Sequence, residues 1–272
     1  MDVRQGFCNV VMYNSVLMKK LAALFMVIAL VSCNRNKIGY TVPVVNPTVS
    51  YDNQTVGVSA NDLLSAQRYK AINIQFCNVN KHPFPDSVVQ AGVAFLNKYC
   101  NKPDGIYISY KNIPLQGGNL YVDDLITIEK LYREKFQVSG RDGIDTLGIF
   151  VLLTEGDYYE KNVLGVAYKN TSVALFGGII AENSGGLGQP SFASVTTAVL
   201  QHELGHILGL VNVGTALQSN HQDEAHGKHC DVPGCLMNYQ MQTTDIKNIF
   251  FGNTIPVLDP KCEADLRANG GK

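Results

Sequence analysis

The chain has 272 residues, 46% of them hydrophobic and 17% charged, which is enough apolar material for a sizeable core and excludes a disordered chain. Its formal net charge is −1 and no block of Lys and Arg interrupts it. That excludes the basic face with which a nucleic-acid binder neutralises phosphates, so no nucleic-acid partner is expected.

Met18-Lys19-Lys20, the apolar run Leu21 to Val31 and then Ser32-Cys33 have the order of a secretory signal peptide over residues 18–33. About 20 apolar residues are needed to span a bilayer, and this run is shorter. Leu30-Val31-Ser32-Cys33 resembles a bacterial lipobox. The resemblance implies a lipid on Cys33 and a chain anchored to a membrane of the cell envelope, outside the cytoplasm, either periplasmic or surface-exposed. Residues 1–17 precede this signal and are expected to be a mis-assigned start extension. Residues 34–60, rich in Asn, Thr, Val and Pro, read as a flexible tether, and residues 61–272 as the folded domain.

Within the domain, Tyr69 to Cys77 alternates apolar and polar residues and predicts a strand. Pro85-Asp86 opens a helix to about Tyr99, and Gly105 to Lys111 forms a second strand after the Pro103-Asp104-Gly105 turn. A helix over Val122 to Phe136 follows, then the nearly continuous apolar strand Thr146 to Thr154, which belongs at a buried central position. Leu164 to Tyr168 and Ser172 to Phe176 are two further strands, the latter the expected sheet edge. Gly185, Gly186 and Gly188 make a flexible loop, and a last helix runs from about Phe192 to Leu208. This order predicts an α/β fold with one mixed, twisted sheet and an irregular C-terminal part. Of seven cysteines, Cys8 lies in the extension and Cys33 is the lipid site. In an exported chain, disulfides Cys77–Cys100 and Cys230–Cys235 are plausible, with Cys262 left over.

The last helix carries His202-Glu203-Leu204-Gly205-His206. His202 and His206, four residues apart, share one helix face, where two neutral imidazoles can grip one Zn²⁺, and Glu203 is placed to take a proton from a water. A bare motif of this kind also arises by chance on a surface helix. Apolar Leu204, Ile207 and Leu208 fit a buried helix, and Gly209 suits the turn that ends it.

The stretch His-Glu-Leu-Gly-His-Ile-Leu-Gly resembles the metzincin pattern HExxHxxGxx(H/D). It departs from that pattern at Asn212, a poor ligand where the third should stand. His229-Cys230, Cys235 and Met237 resemble the HCx4CxM stretch of archaemetzincins, which implies His229 as third ligand and Met237 as the Met-turn beneath the metal. Residues 212–228 then read as an insertion. His221 or His226 are the next choices, and His221, Asp223 and His226 are also candidates for a second ion or for bonds to a ligand imidazole. The further Cys pair that holds a structural zinc in archaemetzincins is absent, so one catalytic zinc is expected. Tyr239, two residues after the Met, matches the astacin and serralysin tyrosine that stabilises an oxyanion, although a tyrosine packed at the turn explains it equally well.

The resemblance covers about Val195 to Tyr239, and it implies a zinc endopeptidase acting on an extended peptide or protein substrate, with Glu203 as general base. The alternative is a catalytically silent, zinc-containing lipoprotein that binds peptides or glycans. A third possibility is an adhesive surface protein in which the motif is fortuitous. A monomer is expected.

Overall fold

A computed structural model describes residues 54–79, 83–114, 116–139, 145–248, 250 and 252–272. The start extension, the signal peptide with Cys33 and residues 34–53 of the tether lie outside the described residues. The described elements in chain order are α1 (Ala60–Leu64), β1 (Ala71–Val79), α2 (Asp86–Tyr99), β2 (Ile106–Ile113), β3 (Asn119–Leu120), α3 (Val122–Tyr132), β4 (Gln137–Ser139) and β5 (Asp145–Thr154). They continue with β6 (Asp157–Tyr158), β7 (Gly165–Lys169), β8 (Ser172–Phe176), α4 (Gly177–Glu182), α5 (Phe192–Ile207), two 3-10 turns (Tyr239–Gln242 and Thr244–Asn248) and α6 (Pro260–Ala268).

The α/β architecture with one mixed sheet is the one the sequence predicts. Six strands form it in the order β2-β1-β5-β8-β7, with β4 on β5. The first four are mutually parallel, while β7 and β4 run antiparallel to their neighbours. The second edge of β5 is shared, since β4 pairs with its residues 145–147 and β8 with its residues 150–154. Every β5 residue from Leu147 to Thr154 is buried, as its apolar run requires.

Alternation sends Ile72, Ile74 and Phe76 of β1, with Leu147, Ile149 and Val151 of β5, to the face covered by α2 and α5. Cys77, Phe150, Leu152 and Phe176 point to the other face, against Leu125 and Ile128 of α3. Each fully buried aliphatic or aromatic side chain contributes about 1.5–3 kcal/mol, so the sandwich is held from both sides.

Two expectations are corrected. Ser172–Phe176 is not the sheet edge: it is buried throughout and paired on both sides, with β5 and β7. The edge at that end of the sheet is β7, with β2 at the other, which chain order alone would not reveal because β8 returns to β5 while β7 is displaced outward. The helix predicted to reach Phe136 stops at Tyr132. Arg133 there turns its guanidinium inward, to Glu129 Oε1 (2.6 Å), the Gly148 carbonyl (2.7 Å) and Thr171 Oγ1 (3.0 Å), and the chain goes on as β4.

Candidate metal centre

Helix α5 starts at Ser191, whose Oγ accepts from the Ser194 N–H (3.1 Å). It runs without Gly or Pro through the core as far as Gly205. At Gly205 a Cβ would overlap Met237 Sδ and lie 3.2 Å from its Cε, so only glycine lets the helix rest on that methionine. Gly209 ends the element with φ +82°, and a Cβ there would sit 2.6 Å from Thr215 N. Asn212 also has positive φ, and its side-chain N–H donates to Gln222 Oε1 (3.4 Å).

His202 and His206 project side by side, their Nε2 atoms 3.1 Å apart. The ring of His229 joins them, 5.3 Å from His202 and 5.1 Å from His206 between centroids. All three are buried, and their donor atoms lie within 4.8 Å of one another. The His202 Nδ1–H donates to the Leu236 carbonyl (2.7 Å) and the His229 Nδ1–H to the His226 carbonyl (2.9 Å). A carbonyl only accepts, so the proton of each neutral ring is on Nδ1 and Nε2 presents a lone pair.

Burial, and then the neighbouring His229, push His202 down to about 3. Burial is also the main cause holding His206 well below its ordinary value and His229 below its own. The rings are therefore neutral at pH 7, as metal ligands must be.

Glu203 is fully buried between this cluster and the sheet edge. Its Oε2 accepts from the Ala167 N–H of β7 (2.7 Å), while Oε1 has no partner. Burial pushes its carboxyl up to about 8, against the opposing pull of that N–H. Gly165 makes the close approach of β7 possible, since a Cβ there would lie 2.5 Å from Val199 Cγ1 and 3.1 Å from Glu203 Cγ.

His229 Nε2 is likewise buried without a partner. Converging lone pairs with no donor between them are what a cation satisfies. Two nitrogens at about 2.05 Å from a tetrahedral zinc are about 3.3 Å apart, close to the 3.1 Å seen here. The donor set fits the metal. A cavity of about 200 Å³ opens beside it, lined by Val166, Ala167, Glu203, His206, His229 and Gln242.

Other expected residues fall elsewhere. Tyr239 lies flat on His226, with ring centroids 3.6 Å apart and planes 5° from parallel, so it is not brought to the three imidazoles. Gln242, three residues on, lines the cavity instead, and no sequence signal marked it. Asp223 and His226 pair with each other at 2.7 Å, with His226 exposed, and join neither donor group. Their side chains form the solvated turn that a polar loop favours and join no ion site, while the His226 backbone carbonyl holds the His229 imidazole.

His221 is fully buried in a second cluster that the sequence does not foretell. Its Nδ1 lies 3.3 Å from Cys230 Sγ and 3.8 Å from Cys262 Sγ, and Cys262 Sγ lies 3.8 Å from Cys235 Sγ. His221 Nε2 donates to Asp265 Oδ2 (2.8 Å). The Asp259 carboxylate sits 3.1 Å from Cys230 Sγ and also caps α6 through the Lys261 N–H. The expected disulfides are absent, because all five described cysteines are free. Cys77 and Cys100 stand on opposite faces of the sheet, where no bond can join them, and burial pushes both thiols up to about 12. Cys230 lies against His221 and Cys235 against Cys262, and the two are not bonded to each other. Hydrogen bonds from Cys235 and Cys262 hold the Cys230 thiol below its ordinary value. This His/Cys/Asp group, too, is compatible with a metal ion.

No protein-family model matches the chain, and no curated protein does. Among solved structures, the crystal structure of an archaemetzincin from Methanopyrus kandleri is similar, with a TM-score of 0.48 and 16% identity over 75% of this chain and 97% of that one.

Proposed function

We propose that the protein is a zinc-dependent endopeptidase. The observation that carries this reading is the meeting of three neutral imidazoles, each buried, with a buried carboxylate oxygen that has no partner. His202, His206 and His229 would hold the ion, which supplies Lewis acidity to a scissile carbonyl and acidity to a water. Glu203, kept ionised by the neighbouring cation when it is bound, would take the proton of the attacking water on Oε1 and return it to the leaving amine. Its Oε2 stays on the Ala167 N–H, so the base keeps its aim while one oxygen works.

An extended peptide would lie along β7, the strand with an open side, and pair with its backbone. His221, Cys230, Asp259 and Cys262, whose donor atoms lie within 4.8 Å of one another, would hold a second ion, so that two ions replace the single one expected. A lipid on Cys33 would keep the domain at a membrane outside the cytoplasm.

The test is cleavage of casein and of a peptide library by the full chain, with and without chelator, beside Glu203→Ala. We expect chelator-sensitive cleavage that falls about 10²–10⁴-fold in the variant while its zinc content is unchanged. Zinc without cleavage would favour the silent binder, and a chain with no zinc would defeat the enzyme reading.

A further inference from the structure

The cavity beside the three imidazoles is walled by two polar side chains besides Glu203 and the ligands, Lys228 and Gln242. Lys228 is exposed, whereas Gln242 is half-buried. Tyr239, which the family resemblance marked for stabilising an oxyanion, is stacked on His226 and does not line the cavity. The oxygen that gathers negative charge during hydrolysis thus lacks the residue expected for it, and Gln242 is the half-buried donor present there.

Backbone bonds fix Gln242 in place. Its carbonyl accepts from the Leu164 N–H (2.7 Å), Thr243 pairs with Val163 in an antiparallel bridge, and the Thr244 N–H donates to the Asn162 carbonyl (3.2 Å). The 3-10 turn Tyr239–Gln242 is thereby tied to the residues leading into β7, the strand whose Ala167 N–H holds Glu203. Met241, the preceding residue, is fully buried in the main core and anchors the turn. Glu203 and Gln242 are therefore both referred to one strand. Burial lowers His202 and His229, and the Gln242 carboxamide comes up to these two rings and acts against that lowering, while His229 Nε2 itself keeps no partner.

We infer that Gln242 is a catalytic residue: its side-chain Nε2–H donates to the oxygen of the scissile carbonyl as that oxygen takes on negative charge. The inference rests on the endopeptidase reading above. A neutral amide carries two N–H donors and, unlike a tyrosine hydroxyl or a lysine, has no proton to lose at working pH. As water adds to the carbonyl carbon, the C–O π pair moves onto oxygen and a water proton passes to Glu203 Oε1. When the C–N bond breaks, its pair leaves with the nitrogen, which takes that proton, and the oxygen pair re-forms the carbonyl. Gln242 neither gains nor loses a proton. It holds the charge between the two events, through a bond that is stronger in the transition state than with the bound peptide.

The experiment compares the full-length, zinc-loaded wild type with Gln242→Met, which keeps the length of the side chain and removes the donor, and with Gln242→Ala. Three quantities are read: the zinc Kd by competition with a chromophoric chelator, kcat and KM on a library peptide that the wild type cleaves, and the Kd of a phosphinic peptide. The tetrahedral phosphorus of that peptide carries charged oxygens as the transition state does. Loss of one such donor is expected to lower kcat about 10²–10³-fold with little change in KM, and to weaken the phosphinic peptide at least about tenfold, while the zinc Kd stays within about twofold.

A folded variant that keeps kcat within about threefold of wild type, or binds the phosphinic peptide within about twofold of it, overturns the inference. So does a loss of activity that follows a weaker zinc Kd, because Gln242 would then only support His202 and His229. Should Gln242→Met not fold, Gln242→Ala, which cannot overfill the cavity, carries the test. The underlying reading fails differently: a zinc-loaded wild type that cleaves no peptide would defeat it, and the inference would fall with it.

Discussion

Gly205→Ala probes whether Met237 is the floor of the catalytic centre. Ordinary van der Waals contact begins at about 3.5 Å, and the new Cβ would overlap Met237 Sδ, so the Met237 side chain or the turn that carries it must shift by about 1 Å. Met237 is fully buried and has little freedom to swing aside. Overpacking costs about 1–3 kcal/mol, against about 0.8–1.0 kcal/mol gained from replacing a helical glycine by alanine. The net loss of stability is therefore small, about 0–2 kcal/mol.

The effect on the ion should be larger. Leu236, which orients His202, immediately precedes Met237, and a displacement of about 1 Å in such a support can cost about 10²-fold. Urea unfolding and zinc competition on the same variant separate the two effects. Adding Met237→Ala to Gly205→Ala opens the space again, and zinc affinity should return toward wild type even though the cavity lowers stability. Zinc affinity within twofold of wild type in Gly205→Ala, or no recovery in the folded double variant, would show that the helix does not lean on the turn.

Three further outcomes follow from other parts of the molecule. Arg133→Met should destabilise by about 3–5 kcal/mol in urea unfolding, because it strands the buried Glu129 carboxylate at 2.6 Å; a change under 1 kcal/mol would refute that account. Lys102, buried with its Nζ donating to the carbonyls of Asp62, Ser65 and Tyr69, is lowered by burial to about 8. The unfolded chain therefore holds a proton that the folded chain lacks between about pH 8 and 10.5, so this lysine's contribution to stability rises with pH by about 1.4 kcal/mol per unit in that window. Comparing wild type with Lys102→Met at pH 8 and 10 isolates it, and a difference that does not change with pH refutes it. His226→Ala should leave total zinc unchanged and stability within about 0.5 kcal/mol, since its partner Asp223 is a surface acid; loss of zinc would put His226 back among the ligands.

What could be read from the chain was local or was carried by a compact pattern. His202 and His206 meet because four residues make one helical turn, and the burial of β5 is written in its continuous apolar run. His229 was reachable only because the HCx4CxM spacing marked it. Strand order was not legible, since which of β7 and β8 returns to β5 depends on packing between distant segments. The disulfide expectation failed for the same reason: adjacency of Cys230 and Cys235 in sequence says nothing of Cys262 and Asp265, which α6 brings in from the end of the chain. Tyr239 was misdirected by an exposed neighbour, His226, whose ring offered it a flat stacking partner.

Under the proposed function, the bond from the Ala167 N–H to Glu203 would make the docking rail and the proton acceptor a single part. A peptide that paired with β7 would thereby be indexed to Glu203 by the strand itself, whatever its side chains are. Selectivity in such an arrangement begins with register: a peptide bond one residue out of frame also presents the opposite side-chain pattern to the rail, and it lies out of reach of Oε1. Bulky or proline-bearing peptides that cannot take up the strand would be spared even where their bond chemistry is identical.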